Sequence, residues 1–418
     1  MTTSQSDHKG LLPRAGVAAC FFWTAPVSVF TGGAVLLSLG EQTLSNHWSP
    51  LTMGLTHIGT LGFITMTLMG SYYFLVPLQL NRSIKAPRLP YFVYVTFAIG
   101  TVSLCVGLAG TAVTPVFIAI GALFPALGCF FWPAIASLRG TRGQPNAIPL
   151  RLAIGSFVIV ATIGIWVAHG HLGMKFPGPR ALWIQVHLAI ALFGWVGGMA
   201  GATFDLLSRA RTPASGDLNQ GISNWWGRLL WLGIALPSVL LGLQYLALIE
   251  LSQATANWLA AVAITPGAIA AWWIQPLYGL KKLRDPMNAI AEPHYWQTAF
   301  CLAPITFVLG IIALLHPAPQ WQLAFGWVAL WGWAGMLVHA SLREFSGNRF
   351  ANPLQEQAEV PVRDLAFALH LASLATGIAA IAVGGPALAR LTGALLLVLG
   401  VNQLNRMVRI TRARRAVE

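Results

Sequence analysis

Histidine is the residue type in this chain best suited to chemistry, and its placement is unusual. His57, His187, His339 and His370 all fall inside long apolar runs. An imidazole in lipid is costly unless it is hydrogen-bonded, paired or bound to a metal. His169 and His171 form a His-x-His pair at the end of another apolar run, and His47 and His316 belong to the same side of a membrane as that pair. His-x-His spacing does not place both rings on one helical face, but an unwinding helix end can bring them together. With His57 and His187, six histidines on one side could form a copper site, since imidazole suits copper and zinc. Solvated loop histidines are the plainer alternative.

Two of the histidines stand above runs of small residues. Gly59, Thr60, Gly62, Thr67 and Gly70 follow His57, and Ala191, Gly194, Gly198 and Gly201 follow His187. The second set is spaced at three or four and so shares a helical face. A histidine over such a stripe lets a flat macrocycle lie against the backbone, although plain helix packing uses the same residues. His57 and His187 are therefore candidate haem or metal ligands. His339 and His370 form a separate inner group, able to hold a second haem or to pair with acids such as Glu344. Asp205 pairs in spacing with Arg209, and Gln244 and Glu250 are candidates for a proton or substrate path. Cys20, Cys105, Cys129 and Cys301 lie in apolar runs without a CxxC pair and read as small buried hydrophobes. Walker A, CxxCH, HExxH and GxSxG patterns are absent.

The elements that must position these residues are membrane spans. Only 9% of the 418 residues are charged and 56% are hydrophobic, against about 25% charged in a soluble domain. A span needs roughly 20 apolar residues, and runs of that kind begin near Val17, Thr52, Tyr91, Pro115, Leu152, Leu182, Leu229, Trp258, Trp296, Trp321, Leu365 and Ala387. The expected fold is all-α and integral to the membrane, with about twelve transmembrane helices in one transmembrane domain. The first run carries no small-residue cleavage site and reads as a span, not a signal peptide.

The net charge of +13 marks orientation, not a nucleic-acid partner. Arg82, Lys85, Arg88, Arg139, Arg142, Arg209, Arg211, Lys281, Lys282, Arg284, Arg343 and Arg349 sit in one set of loops, and Arg406, Arg409, Arg412, Arg414 and Arg415 in the tail. The other set holds only Lys175, Arg180 and Arg390. By the positive-inside rule the first set is cytoplasmic. Both termini then fall inside, in agreement with Lys9 and Arg14, and a bacterial inner membrane is the expected location.

One signature recurs along the chain. Leu61-Gly62-Phe63, Phe193-Gly194-Trp195 and Trp331-Gly332-Trp333 lie in the second, sixth and tenth spans, 132 and then 138 residues apart. One signature every four helices suggests three pseudo-repeats, about 17–138, 150–280 and 296–408, and not the two halves of six common among transporters. Abundant glycine and tryptophan allow coincidence as the alternative.

Twelve spans, cytoplasmic termini, a three-by-four repeat and a histidine high on the second span resemble the catalytic subunit of haem-copper oxidases and nitric oxide reductases. The closer likeness is to their shorter non-oxidase relatives, including the NnrS family of membrane haem and copper proteins linked to nitric oxide stress. The stretch Thr56-His57-Ile58-Gly59-Thr60-Leu61-Gly62-Phe63, followed by Gly70, Tyr72, Tyr73 and Pro77, is similar to the second-helix pattern, and His187 through Trp195 to the sixth-helix pattern. The resemblance implies haem b ligation by His57 and makes His187 a candidate for haem or copper. No histidine pair follows on the seventh span, Trp327 stands where a counterpart of His57 would fall, and no histidine-to-tyrosine segment is present. Oxygen reduction at the usual haem-copper centre is therefore not expected. The expected function is nitric oxide stress response or electron transfer, with a haem-dependent oxidoreductase activity open and an electron donor, a respiratory complex or a second copy as possible partners. A twelve-helix transporter or metal exporter, and an accessory or assembly subunit of an oxidase, are the alternatives.

Overall fold

A computed structural model describes residues 15–173, 178–209, 218–246, 249, 251–284, 290, 292–346 and 364–415. Lys9, Arg14, Lys175, Arg211, Glu250 and Arg349, and the side chains of His171, Arg209, Arg414 and Arg415, lie outside that description. Among the described residues, twelve helices are long and apolar enough to cross a membrane: α1 Val17–Leu44, α2 Pro50–Leu80, α3 Leu89–Ala109, α4 Val113–Leu138, α5 Pro145–Gly170, α6 Arg180–Ser208, α7 Trp225–Tyr245, α8 Gln253–Leu283, α9 Pro293–Leu315, α10 Pro319–Phe345, α11 Leu365–Val383 and α12 Pro386–Arg412. No strand occurs among the described residues. The protein is an all-α, multi-pass membrane protein.

Their starts follow local chemistry. Ser49 accepts the Thr52 amide at 3.1 Å, Ser252 the Thr255 amide at 3.2 Å and Asp364 the Phe367 amide at 3.2 Å, capping α2, α8 and α11. Proline opens α2, α9, α10 and α12, where its missing N–H would have no partner anyway. One departure from the sequence expectation is α5, which begins at Pro145 instead of Leu152 because a 3₁₀ turn over Pro145–Ala147 leads into it.

Large apolar side chains such as Phe124, Trp132, Val262 and Leu277 point outward. A bilayer is the solvent that tolerates them. Trp48, Tyr91, Trp225, Tyr245 and Trp258 are also exposed and lie at or near span ends, as expected of aromatic side chains at the lipid headgroups.

The chain divides into two compact units: residues 1–126 with 291–418, and residues 127–290. In the first, α1 and α12 cross so closely that a Cβ on Gly33 would sit 2.7 Å from the Leu397 amide nitrogen and 2.8 Å from the Gly393 oxygen. In the second, Gly233 of α7 and Gly267 of α8 meet backbone to backbone. Small residues permit such approaches, which drive helix association where apolar burial cannot.

The three signature helices stand apart from the rest. The apolar windows of α2, α6 and α10 are 83%, 72% and 72% buried, against 28–50% for the other nine. Each is wound as a π-helix across its tripeptide, at Ile58–Thr65, Ala191–Gly197 and Val328–Ala334. A fourth π-turn, Ala270–Ile274 in α8, lacks the glycine signature. π-Turns displace the backbone hydrogen-bond ladder and are frequent at functional sites.

Candidate functional site

His57 closes the α-helical start of α2, one residue before its π-turn. Its Nδ1 lies 2.8 Å from the Met53 carbonyl. A carbonyl can only accept, so Nδ1 carries the proton and Nε2 presents a lone pair. No hydrogen-bond partner of that Nε2 occurs among the described residues. Metal-ligating histidines characteristically donate their second N–H to a carbonyl or carboxylate in this way. The ring is half-buried, and a Cβ added at Gly59 would meet no atom within 4 Å. The side chain thus offers one nitrogen with a lone pair on one of the innermost helices, a donor that could hold a haem or a metal.

In the second unit, His187 of α6 is half-buried and packs its Cε1 against Gly164 of α5, where a Cβ would approach to 3.0 Å. His169 near the end of α5 repeats the His57 bond, with Nδ1 2.8 Å from the Ile165 carbonyl. The outer histidines do not join a group of three potential ligands among the described residues. Trp327 fills the notch over Gly377, and its indole N–H donates to the Leu374 carbonyl at 3.2 Å. The position therefore serves α10–α11 packing.

The inner histidines are brought together. His339 of α10 and His370 of α11 are 1% and 0% exposed, with ring centroids 4.6 Å apart and planes at 72°. Two imidazoles trans across one metal would have ring centres about 6 Å apart, given metal–nitrogen bonds near 2 Å. As placed, the rings touch edge to face and are too close to stand on opposite sides of one metal. His370 Nε2 donates to the Trp331 carbonyl at 2.9 Å. The π-turn makes that carbonyl accessible, since the Gly335 amide bonds Gly332. Gly335 also leaves room for the ring, at 3.4 Å from a would-be Cβ. Trp331 stacks on His370 at 4.2 Å and donates its indole N–H to Ser373 at 2.9 Å. Gln403 of α12 hydrogen-bonds His339 Nε2. Phe63, from the π-turn of α2, lies 4.8 Å from the His339 ring.

At the nearby helix ends lies an ion cluster that the sequence reading missed. Arg343 donates to Glu292 at 2.7 Å and pairs with Asp364 at 2.9 Å, while His294 lies 3.2 Å from Asp364. Burial alone would raise the Asp364 carboxyl, but His294, Arg343 and the Phe367 amide outweigh it and hold the group at about 2. Glu292, His294 and Asp364 offer ligand atoms within 4.8 Å of one another. The Arg343 guanidinium already bridges both carboxylates, so the cluster reads as a clamp joining α9, α10 and α11. Glu344, expected near the inner histidines, accepts the Glu292 amide at 3.4 Å. Their sequence signals were the Glu292-Pro293-His294 start of α9 and the Asp364 cap of α11. Nothing local linked positions about 70 residues apart.

These features define a polytopic membrane protein with a half-buried histidine, His57, and a sealed histidine pair, His339 and His370. No protein-family model matches the chain, and no curated protein matches it.

Proposed function

We propose that this is a membrane haem protein, holding haem b on His57 and acting in nitric oxide stress or electron transfer. The observation that carries the reading is the locked His57 tautomer, with Nδ1 on the Met53 carbonyl and a lone pair left on Nε2. Haem, when bound, supplies one-electron chemistry and a site for a diatomic ligand. The chain's part is to fix the imidazole and to present one nitrogen. His187 is the candidate for a further haem or copper ligand, and His169 has the same carbonyl-fixed Nδ1. The likeness to non-oxidase relatives of haem-copper oxidases, and three pseudo-repeats of four helices, belong to the same reading. The shared π-turns and the burial of α2, α6 and α10 support both.

By the positive-inside rule the Arg343 end of α10 is cytoplasmic and the His57 end of α2 faces outward. Protein purified in detergent after haem-replete expression shows a Soret band and a b-type pyridine haemochrome. His57→Ala removes or shifts that band. A wild-type spectrum without a Soret band sinks the proposal. Twelve apolar spans also suit a secondary transporter, and substrate flux in proteoliposomes of cofactor-free protein would establish that alternative instead.

A further inference from the structure

The Arg343 end of the first unit holds a cavity of about 20 Å³, room for one water or one ion of similar size. Tyr295 of α9, His339 and Arg343 of α10, and Asn402, Gln403 and Arg406 of α12 supply its polar lining. The three α12 residues follow i, i+1, i+4 spacing and so share one face. The positive-inside rule accounts for an arginine at this end of α12. It does not account for an amide, a phenol and an imidazole gathered beside that arginine.

The lining is rich in donors. The Gln403 amide nitrogen donates to His339 Nε2, so the proton of that ring lies on Nδ1. This Nδ1–H is buried without a hydrogen-bond acceptor among the described residues, on a side chain that is 1% exposed. Such a donor is a standing cost, which a ligand carrying lone pairs can relieve. Arg343 gives Nε and Nη2 to Glu292 and Nη1 to Asp364, and these bonds do not use all five of its N–H donors. Arg406 adds a second guanidinium, Asn402 an amide and Tyr295 a hydroxyl. Only the amide oxygens of Asn402 and Gln403 and the phenol oxygen can accept there. Among the described residues no carboxylate lines the cavity. Two positive charges and a surplus of donors fit an anion, and room for about one water limits it to halide size. Guanidinium is weakly hydrated, so it suits an anion site at a half-buried helix end.

We propose that this cavity binds one small inorganic anion of halide size between α10 and α12, independent of haem at His57. The test is a melting curve of the full-length protein in detergent, with chloride titrated against gluconate at constant ionic strength. Gluconate is too large for the cavity. Chloride and bromide are expected to raise the melting temperature and to saturate, as a ligand of the folded state does. Arg406→Gln and Asn402→Leu are each expected to weaken chloride about 10- to 100-fold. Arg409→Gln, an exposed arginine outside the lining, keeps wild-type affinity and separates a site from a general effect of basic charge. Broadening of the chloride magnetic resonance line by the wild type, reversed by bromide, needs no variant to fold. A flat chloride response without broadening would mean that only water fills the cavity and would overturn the proposal. A rise kept in full by both lining variants would do the same. Loss of the chloride response in bilayers containing phosphatidylglycerol would assign the site to a lipid phosphate and equally overturn it.

Discussion

Arg343 reaches three partners at once: Glu292, Asp364 and the face of Tyr295, 5.3 Å away. Replacing it by leucine leaves two largely buried carboxylates without their counter-ion. Breaking a buried pair costs about 3–5 kcal/mol, and some exposure here puts Arg343→Leu near the lower bound. A fall in the detergent melting temperature relative to wild type checks this. Asp364 adds a pH dependence. Its folded carboxyl is held at about 2, below the ordinary 3.8. Its contribution is therefore complete above about pH 4 and is lost as pH falls toward 2, on the order of 2 kcal/mol. Asp364→Asn keeps a good helix cap but should flatten the acid limb of a melting-temperature profile. An unchanged limb would remove Asp364 as its cause. His339 and His370 were legible as chemistry-bearing residues because imidazoles inside apolar runs stand out. His294 was not, because it sits at a helix start where a histidine needs no special explanation.

The three Gly-aromatic tripeptides proved to be a feature of the backbone. Each coincides with a π-turn, and in α10 the turn gives up the Trp331 carbonyl to His370. In α6 the Gly197 carbonyl at the end of its turn accepts Gln275 at 3.4 Å. Glycine seams set the spacing of the helices around them. A Cβ at Gly33 would press on the backbone of α12, which has no flexible end to move aside. Gly33→Ala should cost about 1–3 kcal/mol by overpacking, whereas Gly59→Ala, with nothing within 4 Å, should leave stability unchanged. Paired melting curves in the same detergent decide between a seam and a stripe with no packing role. Helix number, order and most starts could be read from apolar run length and from Ser, Asp and Pro at the first turn. The π-turns could not, since glycine next to an aromatic residue is equally compatible with an ordinary α-helix.

For the whole molecule, an even number of crossings returns the chain to the side from which it started. Topology reporters fused after Arg412 and ahead of Val17 should report the same compartment, and a reporter in the 45–49 connection the opposite one. Opposite compartments for the two ends would mean that one apolar helix does not cross. The exposed Phe124, Val262 and Leu277 make a lipid or detergent shell obligatory, so extraction without one should give aggregate.

Sequence alone determined the solvent, the number of spans and the residues dear enough in lipid to demand a reason. Those properties follow from composition and run length, which act locally and need no knowledge of neighbours. Only the tertiary structure decided which histidines meet. His339 and His370 are 31 residues apart and share a wall because α10 turns back along α11, and Gly335 with a π-turned carbonyl lets the rings close. His57 keeps one nitrogen open because its own helix holds the other. Partner choice between helices depends on shape and backbone approach summed over many residues, and no single run of sequence contains that sum.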